Sequence, residues 1–466
     1  MACKCVLFPS RDKIHLKKSP LFLNLPAAGR TRFACSVSRR RCLMRRTRNS
    51  QRVKMESLFK KFEDRRKELL ARADAREAEL PLRYLAQQAH YTTPAGNYDI
   101  ILKAVERGTA PAARILEKLH ISAPELADTL GLDTSVLEDA LSRPRHAPLV
   151  LIDGEDAQAL RDDVIERGRD NAVRAFREAK WGRALRFYRP SGLELEYCTR
   201  DLFHVLLQAG ENLPPEHYPI DGVIFPKLRH VDELQWLCDL LAAVETEMGL
   251  PEHRIKLQFL VESAWAVLNL PELVQLALPR LTGIILGNAD YSAEVGLPVI
   301  ATDHPVIDWV RHEMVNVAGA VGIPAIDNMT INYPVADPTL EARANKRRVL
   351  ARLKECFDDA RHGLQLGMSG KWVGHPLQLF VTLLAYDTAF SEQRLAEELH
   401  RLDVYRRSIE QEQGTMVIRG VMTDRAMDRH SRALLRKAVA LGRLAPDKGL
   451  QIGVISQQEF DALRQK

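Results

Sequence analysis

From about residue 88 the chain alternates short apolar runs ending in polar residues with longer stretches whose apolar positions recur at helical spacing. The short runs fall at 90–93, 149–153, 184–188, 222–225, 256–261, 283–286, 323–326 and 371–373. Nearly every one is apolar on consecutive positions, as strands of a parallel sheet covered on both faces are. Eight strands separated by helices predict an α/β protein, a (β/α)8 TIM barrel over 90–390, with its active site where the strands end. An open doubly wound sheet is the alternative, weakened because no Gly-rich dinucleotide fingerprint follows the first strand. Around the barrel the pattern predicts a charged helical extension over 55–89, a helical insertion at 109–146 and a helical C-terminal module over 391–466, broken by residues 414–420. Within the insertion, residues 122–141 have the spacing of a helix-turn-helix with Gly131 in the turn. The would-be recognition helix carries Asp133, Glu138 and Asp139, which phosphates repel, so a structural helical hairpin is expected and nucleic acid is not.

Composition changes this picture at one end only. The chain of 466 residues is 46% hydrophobic, enough for one large enzyme domain with appendages. Its longest apolar stretches fall short of the roughly 18 residues that span a bilayer, so no membrane segment is expected. The net charge of +6 is misleading: residues 1–54 hold 15 Lys or Arg against the single acid Asp12, whereas the remainder holds 52 basic and 60 acidic residues. The body is therefore acidic and gives no reason to expect nucleic acid. The tail has the composition of an organelle transit peptide, or else lies upstream of a true start at Met55. Cys198, Cys238 and Cys356 are scattered singly outside the tail, which suits reduced thiols in the cytoplasm, or in an organelle matrix if the tail is a transit peptide.

Candidate chemistry gathers at the downstream ends of the predicted strands. Glu262 closes the fifth and Asp290 follows the sixth. Neighbouring parallel strands deliver such residues to one rim, where two carboxylates offer a hard divalent cation its ligands. Asp153-Gly-Glu-Asp156 crowds three acids at the end of the second strand, where Glu155 and Asp156 are candidates for a substrate rim or Asp156 for a helix cap. Arg186, read as the rim arginine of the third strand, can grip a carboxylate or enolate oxygen. Lys227 is either a Schiff-base nucleophile or, as preferred here, a charge partner for Glu262 and Asp290. Lys371 can meet an anionic cofactor tail, and His375, before Pro376, is a weak candidate.

Together these blocks resemble the citrate lyase β-subunit, malyl-CoA lyase and citramalyl-CoA lyase family, within the pyruvate-type aldolase barrels. The resemblance runs from Tyr91-Thr-Thr-Pro-Ala-Gly-Asn97 to Met422-Thr-Asp-Arg-Ala426 and omits the insertion. Gly287-Asn-Ala-Asp-Tyr-Ser-Ala293 is closest to the malyl-CoA lyase branch, and Gly322-Ile-Pro-Ala-Ile-Asp327 and Gly370-Lys-Trp-Val-Gly-His-Pro376 match two further blocks. It implies that Glu262 and Asp290 bind Mg2+ or Mn2+, that Arg186 grips substrate, and that a CoA thioester and a keto acid are the small-molecule partners. It also implies a homo-oligomer, trimer or hexamer, in which Asp424 acts in acid/base chemistry at a neighbouring subunit's site. Helix capping is the competing role for Asp424. Gly154, Tyr188 and Arg419 depart from the family's pattern. The expected activity is a carbon–carbon lyase acting on a β-hydroxyacyl-CoA, and the alternative is a CoA-independent metal aldolase acting on a free hydroxy keto acid.

Overall fold

The computed structural model describes residues 57–71, 80–411, 414–418 and 420–464. The basic tail 1–54 and the start proposed at Met55 lie outside them. The chain divides into two units, Met1–Arg72 and Ala73–Lys466. In the first, residues 57–71 form a helix stitched by the surface pairs Arg65–Glu68 and Arg66–Glu63.

The second unit is built on a closed barrel of eight parallel strands: β1 (Ala89–Pro94), β2 (Leu149–Asp153), β3 (Leu185–Arg189), β4 (Gly222–Phe225), β5 (Lys256–Val261), β6 (Leu281–Leu286), β7 (Ala325–Asp327) and β8 (Gly370–Val373). Each pairs with the next, and β8 returns to β1 through Ala89 opposite Lys371. Alternation decides what each strand offers the interior. Leu149 and Leu151, Leu185 and Phe187, Ile224, Leu260, Ile285 and Ile326 fill the barrel with Tyr84 and Trp372. Val150, Ile152, Tyr188, Val223, Leu257 and Phe259 pack outward with the helices. Each such side chain contributes about 1.5–3 kcal/mol by leaving water. One step past the apolar layers, the inward positions of β2 and β3 are Asp153 and Arg189, and the next inward position after β5 is Glu262.

The N-terminal mouth is plugged by the turn Leu82–Leu85, which sends Tyr84 into the barrel. Beside it the Gln87 amide donates to the carbonyls of Tyr84 and Thr282, at 2.7 and 2.8 Å, and its oxygen accepts from Gln258 Nε2 at 2.6 Å. His90 Nε2 lies 3.0 Å from that same oxygen. The floor is a neutral polar layer bonded within itself except at His90 Nδ1 and Gln258 Oε1.

The inserted segment folds as three helices, Pro111–Lys118, Ala123–Leu130 and Thr134–Ser142. Leu126, Leu130 and Leu137 bury against Val349, Leu353 and Phe357 of the helix Ala342–Gln365 and against the helix Pro376–Asp387. The helix-turn-helix spacing is thus spent on packing inside the fold. In the C-terminal module, Leu395 and Leu402 of the helix Glu392–Glu410 meet Leu435 and Val439 of the helix Arg425–Ala440, and this core continues to Leu82 of the floor turn. Between those helices stands a hairpin, β9 (Met416–Ile418) and β10 (Val421–Thr423), with Val417 70% and Met422 61% exposed. Among the described residues no helix is long and apolar enough to cross a membrane.

Candidate active site

The strand ends gather five carboxylates and two cations at the C-terminal mouth. Arg189, the last residue of β3, clamps Asp153, the last of β2, through Nε at 2.7 Å and Nη2 at 2.6 Å. Its Nη1 lies 2.8 Å from Glu155 Oε2, off the angle of a hydrogen bond, so that buried oxygen has ionic company but no donor. The guanidinium also lies over the Trp372 ring, 5.2 Å from its centroid. Burial disfavours its charge, but Asp153 and then Glu155 outweigh burial and raise its pKa.

Lys227 follows β4 with φ of 54°, a left-handed conformation unusual for a residue with a Cβ. That turn aims its backbone N–H at Glu262 Oε1, 2.5 Å away, while the ammonium reaches Glu155 at 2.8 Å, Asp156 at 3.2 Å and Asp290 at 3.9 Å. Burial works against the ammonium, but these carboxylates prevail and raise its pKa. A lysine held so firmly protonated is a poor Schiff-base nucleophile, so its geometry is that of a charge partner.

Glu262 stands one residue beyond β5 and is buried. A Cβ on Gly287, at the end of β6, would fall 2.4 Å from Glu262 Cβ and 2.6 Å from its Oε2, so glycine is required there. Burial pushes the Glu262 carboxyl up to about 8, with Asp290 and Glu155 adding to the rise and Arg189 and the Lys227 N–H opposing it. Glu155 is pushed up to about 7, again mainly by burial. Asp156 is lowered, because the Arg189 and Lys227 charges outweigh its desolvation. Asp290 lies in the helix Asn288–Glu294 with its carboxylate 46% exposed. Two buried acids whose ionised forms are this costly mark a site short of positive charge. Among the described residues no three His, Cys, Asp or Glu side chains converge closely enough to hold a metal ion alone. Glu262 and Asp290, which both reach Lys227, are the two carboxylates that would serve a hard cation whose remaining ligands come from substrate and water.

The structure brings Glu155, Asp156, Lys227, Glu262 and Asp290 together, places Arg186 and Lys371 away from them, and shows Asp424 within its own chain as a helix cap. Arg186 is the second residue of β3, not its last, and stands at the N-terminal end: its N–H donates to Asp221, its Nη1 to the Pro219 carbonyl at 3.3 Å, and its guanidinium lies over Trp181. Arg186 lies early in the apolar run 184–188 as it does in β3, and the rim position belongs to Arg189, the last residue of the strand. Lys371 points outward from β8, fully buried, donating to the Asn328 carbonyl at 2.8 Å and lying 3.4 Å from Asp327 Oδ2. Its partners there leave it no access to an anionic cofactor tail at the mouth. Asp424 caps the helix Arg425–Ala440, accepting from the amides of Ala426 at 2.9 Å and Met427 at 3.1 Å. His375 likewise caps the helix Pro376–Asp387, and burial lowers its pKa to about 4. One neighbour of the mouth escaped the sequence reading: Tyr333, in the loop after β7, whose hydroxyl fills the space a Cβ on Gly374 would need.

The closed parallel barrel is the frame of the site, and proteins named as malyl-CoA lyases and a malyl-CoA thioesterase are among the relatives of the chain. The chain belongs to the family described as Domain of unknown function (DUF6986), whose profile matches residues 154–466. It is 26% identical over 208 residues to the L-malyl-CoA/beta-methylmalyl-CoA lyase of Haloarcula marismortui, covering 44% of this chain and 57% of that protein. To the lyase of the same name from Cereibacter sphaeroides it is 23% identical over 308 residues, covering 63% and 87%. A citrate lyase structure from Burkholderia xenovorans LB400 shares the fold at a TM-score of 0.53 and 18% identity, over 78% of this chain and 96% of that one.

Proposed function

We propose that the chain is a divalent-cation-dependent lyase that cleaves or forms a β-hydroxyacyl-CoA of the malyl-CoA or citramalyl-CoA type. The observation that carries this reading is the meeting of Glu262, Asp290 and Arg189 at one mouth, with more carboxylates than the resident cations neutralise. Glu262 and Asp290 would hold Mg2+ or Mn2+, which would supply a Lewis acid toward the keto acid half.

The chain's own residues supply the rest. In the cleavage direction the hydroxyl loses its proton, the carbon–carbon bond breaks, and the electron pair passes to the thioester's α-carbon as an enolate before protonation. Arg189, fixed by Asp153, presents positive charge at the base of the mouth against that developing charge. Lys227 fixes Glu262 and Glu155, keeping the acidic residues in register. The carbon and hydroxyl protons are assigned to Asp424 of a neighbouring subunit. In its own chain Asp424 caps a helix, and the hairpin just before it exposes Val417 and Met422, the kind of surface a second copy covers. The assembly is accordingly proposed to be a homo-oligomer. Among the described residues the thiols Cys198, Cys238 and Cys356 are free and at least partly buried, which suits a reducing compartment.

A second reading rests on Lys371. Its burial away from the mouth removes the lysine assigned to the CoA phosphates, and this favours a metal aldolase acting on a free hydroxy keto acid. Incubation of acetyl-CoA with glyoxylate, with and without Mg2+, separates the two. Metal-dependent malyl-CoA formation, lost in Asp290→Ala, supports the first. Cleavage of a free hydroxy keto acid with no CoA product supports the second. A fully active monomer in gel filtration would remove Asp424 from the site.

A further inference from the structure

Among the described residues Lys227 is the one that touches all four acids surrounding the mouth apart from Asp153: Glu262 through its backbone, and Glu155, Asp156 and Asp290 through its ammonium. It does so from a left-handed backbone conformation that glycine would adopt without strain. A charged side chain at such a position, with its charge spent on acids alone, points to a role in the charge balance of the site. Its contacts are graded. The ammonium is tight on the buried Glu155, at 2.8 Å, and loose on the half-exposed Asp290, at 3.9 Å. A cation can therefore claim Asp290 while Lys227 stays anchored on Glu155, and the two positive charges then repel one another across a short distance.

We propose that Lys227 is the resident counter-ion of the acidic mouth: it holds the carboxylates together in the cation-free protein and competes with a divalent cation for Asp290. The inference rests on the cation reading above and adds to it a residue that sets cation affinity. Its consequence is an order of binding. Alone, a divalent cation meets a mouth already partly neutralised. With an anionic keto acid present the lost negative charge is restored, and cation and keto acid bind cooperatively.

The test is calorimetric titration of Mg2+ into the full chain without substrate, beside thermal unfolding in a chelator. Lys227→Met keeps the stem and removes the charge. It should bind Mg2+ about tenfold more tightly or better, because one repelling charge is gone and the mouth is more negative. The same variant should melt at a lower temperature in chelator, since its acids then repel one another. Lys227→Arg, which keeps the charge, should retain near wild-type affinity, and Lys227→Gln repeats the test should the methionine variant misfold. A lysine with only a structural role would lower the melting temperature and leave affinity equal or weaker, and that result overturns the proposal. Absence of Mg2+ and Mn2+ binding in the wild type, even with glyoxylate present, would overturn the cation reading itself, a different result from equal affinities in wild type and Lys227→Met.

Discussion

At its N-terminal mouth the barrel buries Gln87, His90, Gln258 and Thr282, all neutral and mostly bonded to one another. At its C-terminal mouth it buries Asp153, Glu155, Glu262 and Arg189, and Glu262 accepts a hydrogen bond on one oxygen only. Both layers are polar and both lie in a low-dielectric interior, where an unsatisfied group is costly. The floor limits that cost by neutrality, although His90 Nδ1 and Gln258 Oε1 are left without a partner. The mouth leaves it standing, with two carboxyls held at about 7 and about 8. One end of the barrel is built to be finished by the fold, and the other to be finished by something that binds.

The sharpest way to break this contrast is to neutralise the mouth. Glu262→Gln and Asp290→Asn should each lower turnover in the acetyl-CoA and glyoxylate assay by about 10²- to 10³-fold or more, the effect of losing a comparable electrostatic contact. Glu262→Gln should also raise the melting temperature of the cation-free protein. The sign follows from linkage: a carboxyl raised from 4.5 to about 8 favours the folded state when protonated, so its ionised form destabilises increasingly as pH rises through that window. The gain over wild type should therefore be absent near pH 4.5 and grow toward pH 8. A variant that loses both activity and stability would mean that Glu262 belongs to the scaffold.

The two arginines of β3 sharpen the comparison within one strand. Arg189→Ala leaves Asp153 buried without its cation and Glu155 with Lys227 alone, and should cost about 3–5 kcal/mol of stability as well as activity. Arg186→Ala, at the other end, loses a half-buried contact with Trp181 and a carbonyl and should cost about 1 kcal/mol, with activity retained. Urea denaturation of both variants measures the difference. Equal losses would contradict the placement of the two side chains at opposite ends.

Why the sequence located the barrel so well and this arginine so poorly has a physical answer. The eight apolar runs are bounded by turn and charged residues, and consecutive apolar positions read as parallel strands whichever residue begins them. Strand phase is a finer matter. Arg186 is early in the apolar run 184–188 and early in β3, whereas Arg189, one residue past that run, is the arginine that closes the strand. Facing is a matter of phase too: Trp372 turns into the barrel, which sends Lys371 outward to Asp327, and nothing in Gly-Lys-Trp-Val specifies that choice. Glu262 and Asp290 escaped this ambiguity because each lies beyond its strand, at the rim whichever way the strand is phased. Asp424 was legible as a helix cap, which is its role within its own chain. Tyr333 left no signal, since its position depends on a glycine forty-one residues away in sequence.

The smallest effect expected lies at the floor. His90 is fully buried, and burial lowers its pKa to about 3. The unfolded chain then binds the proton more readily, so the stability that a neutral His90 permits is fully present above about pH 6.5 and declines as pH falls, by up to about 1.4 kcal/mol per pH unit. His375 follows the same rule with a folded value of about 4. His90→Leu removes the titrating ring while Gln87 Oε1 keeps its bond from Gln258, so the variant should be little changed at pH 7 and lose less stability than wild type between pH 6.5 and 5. The Glu262 contribution has the opposite slope, because acid relieves the mouth as it strains the floor. Urea midpoints of wild type, His90→Leu and Glu262→Gln across pH 5 to 8 resolve the two slopes. If the histidine variant were as acid-sensitive as wild type, the neutral floor would not be the acid-labile end, and the contrast between the mouths would rest on the C-terminal rim alone.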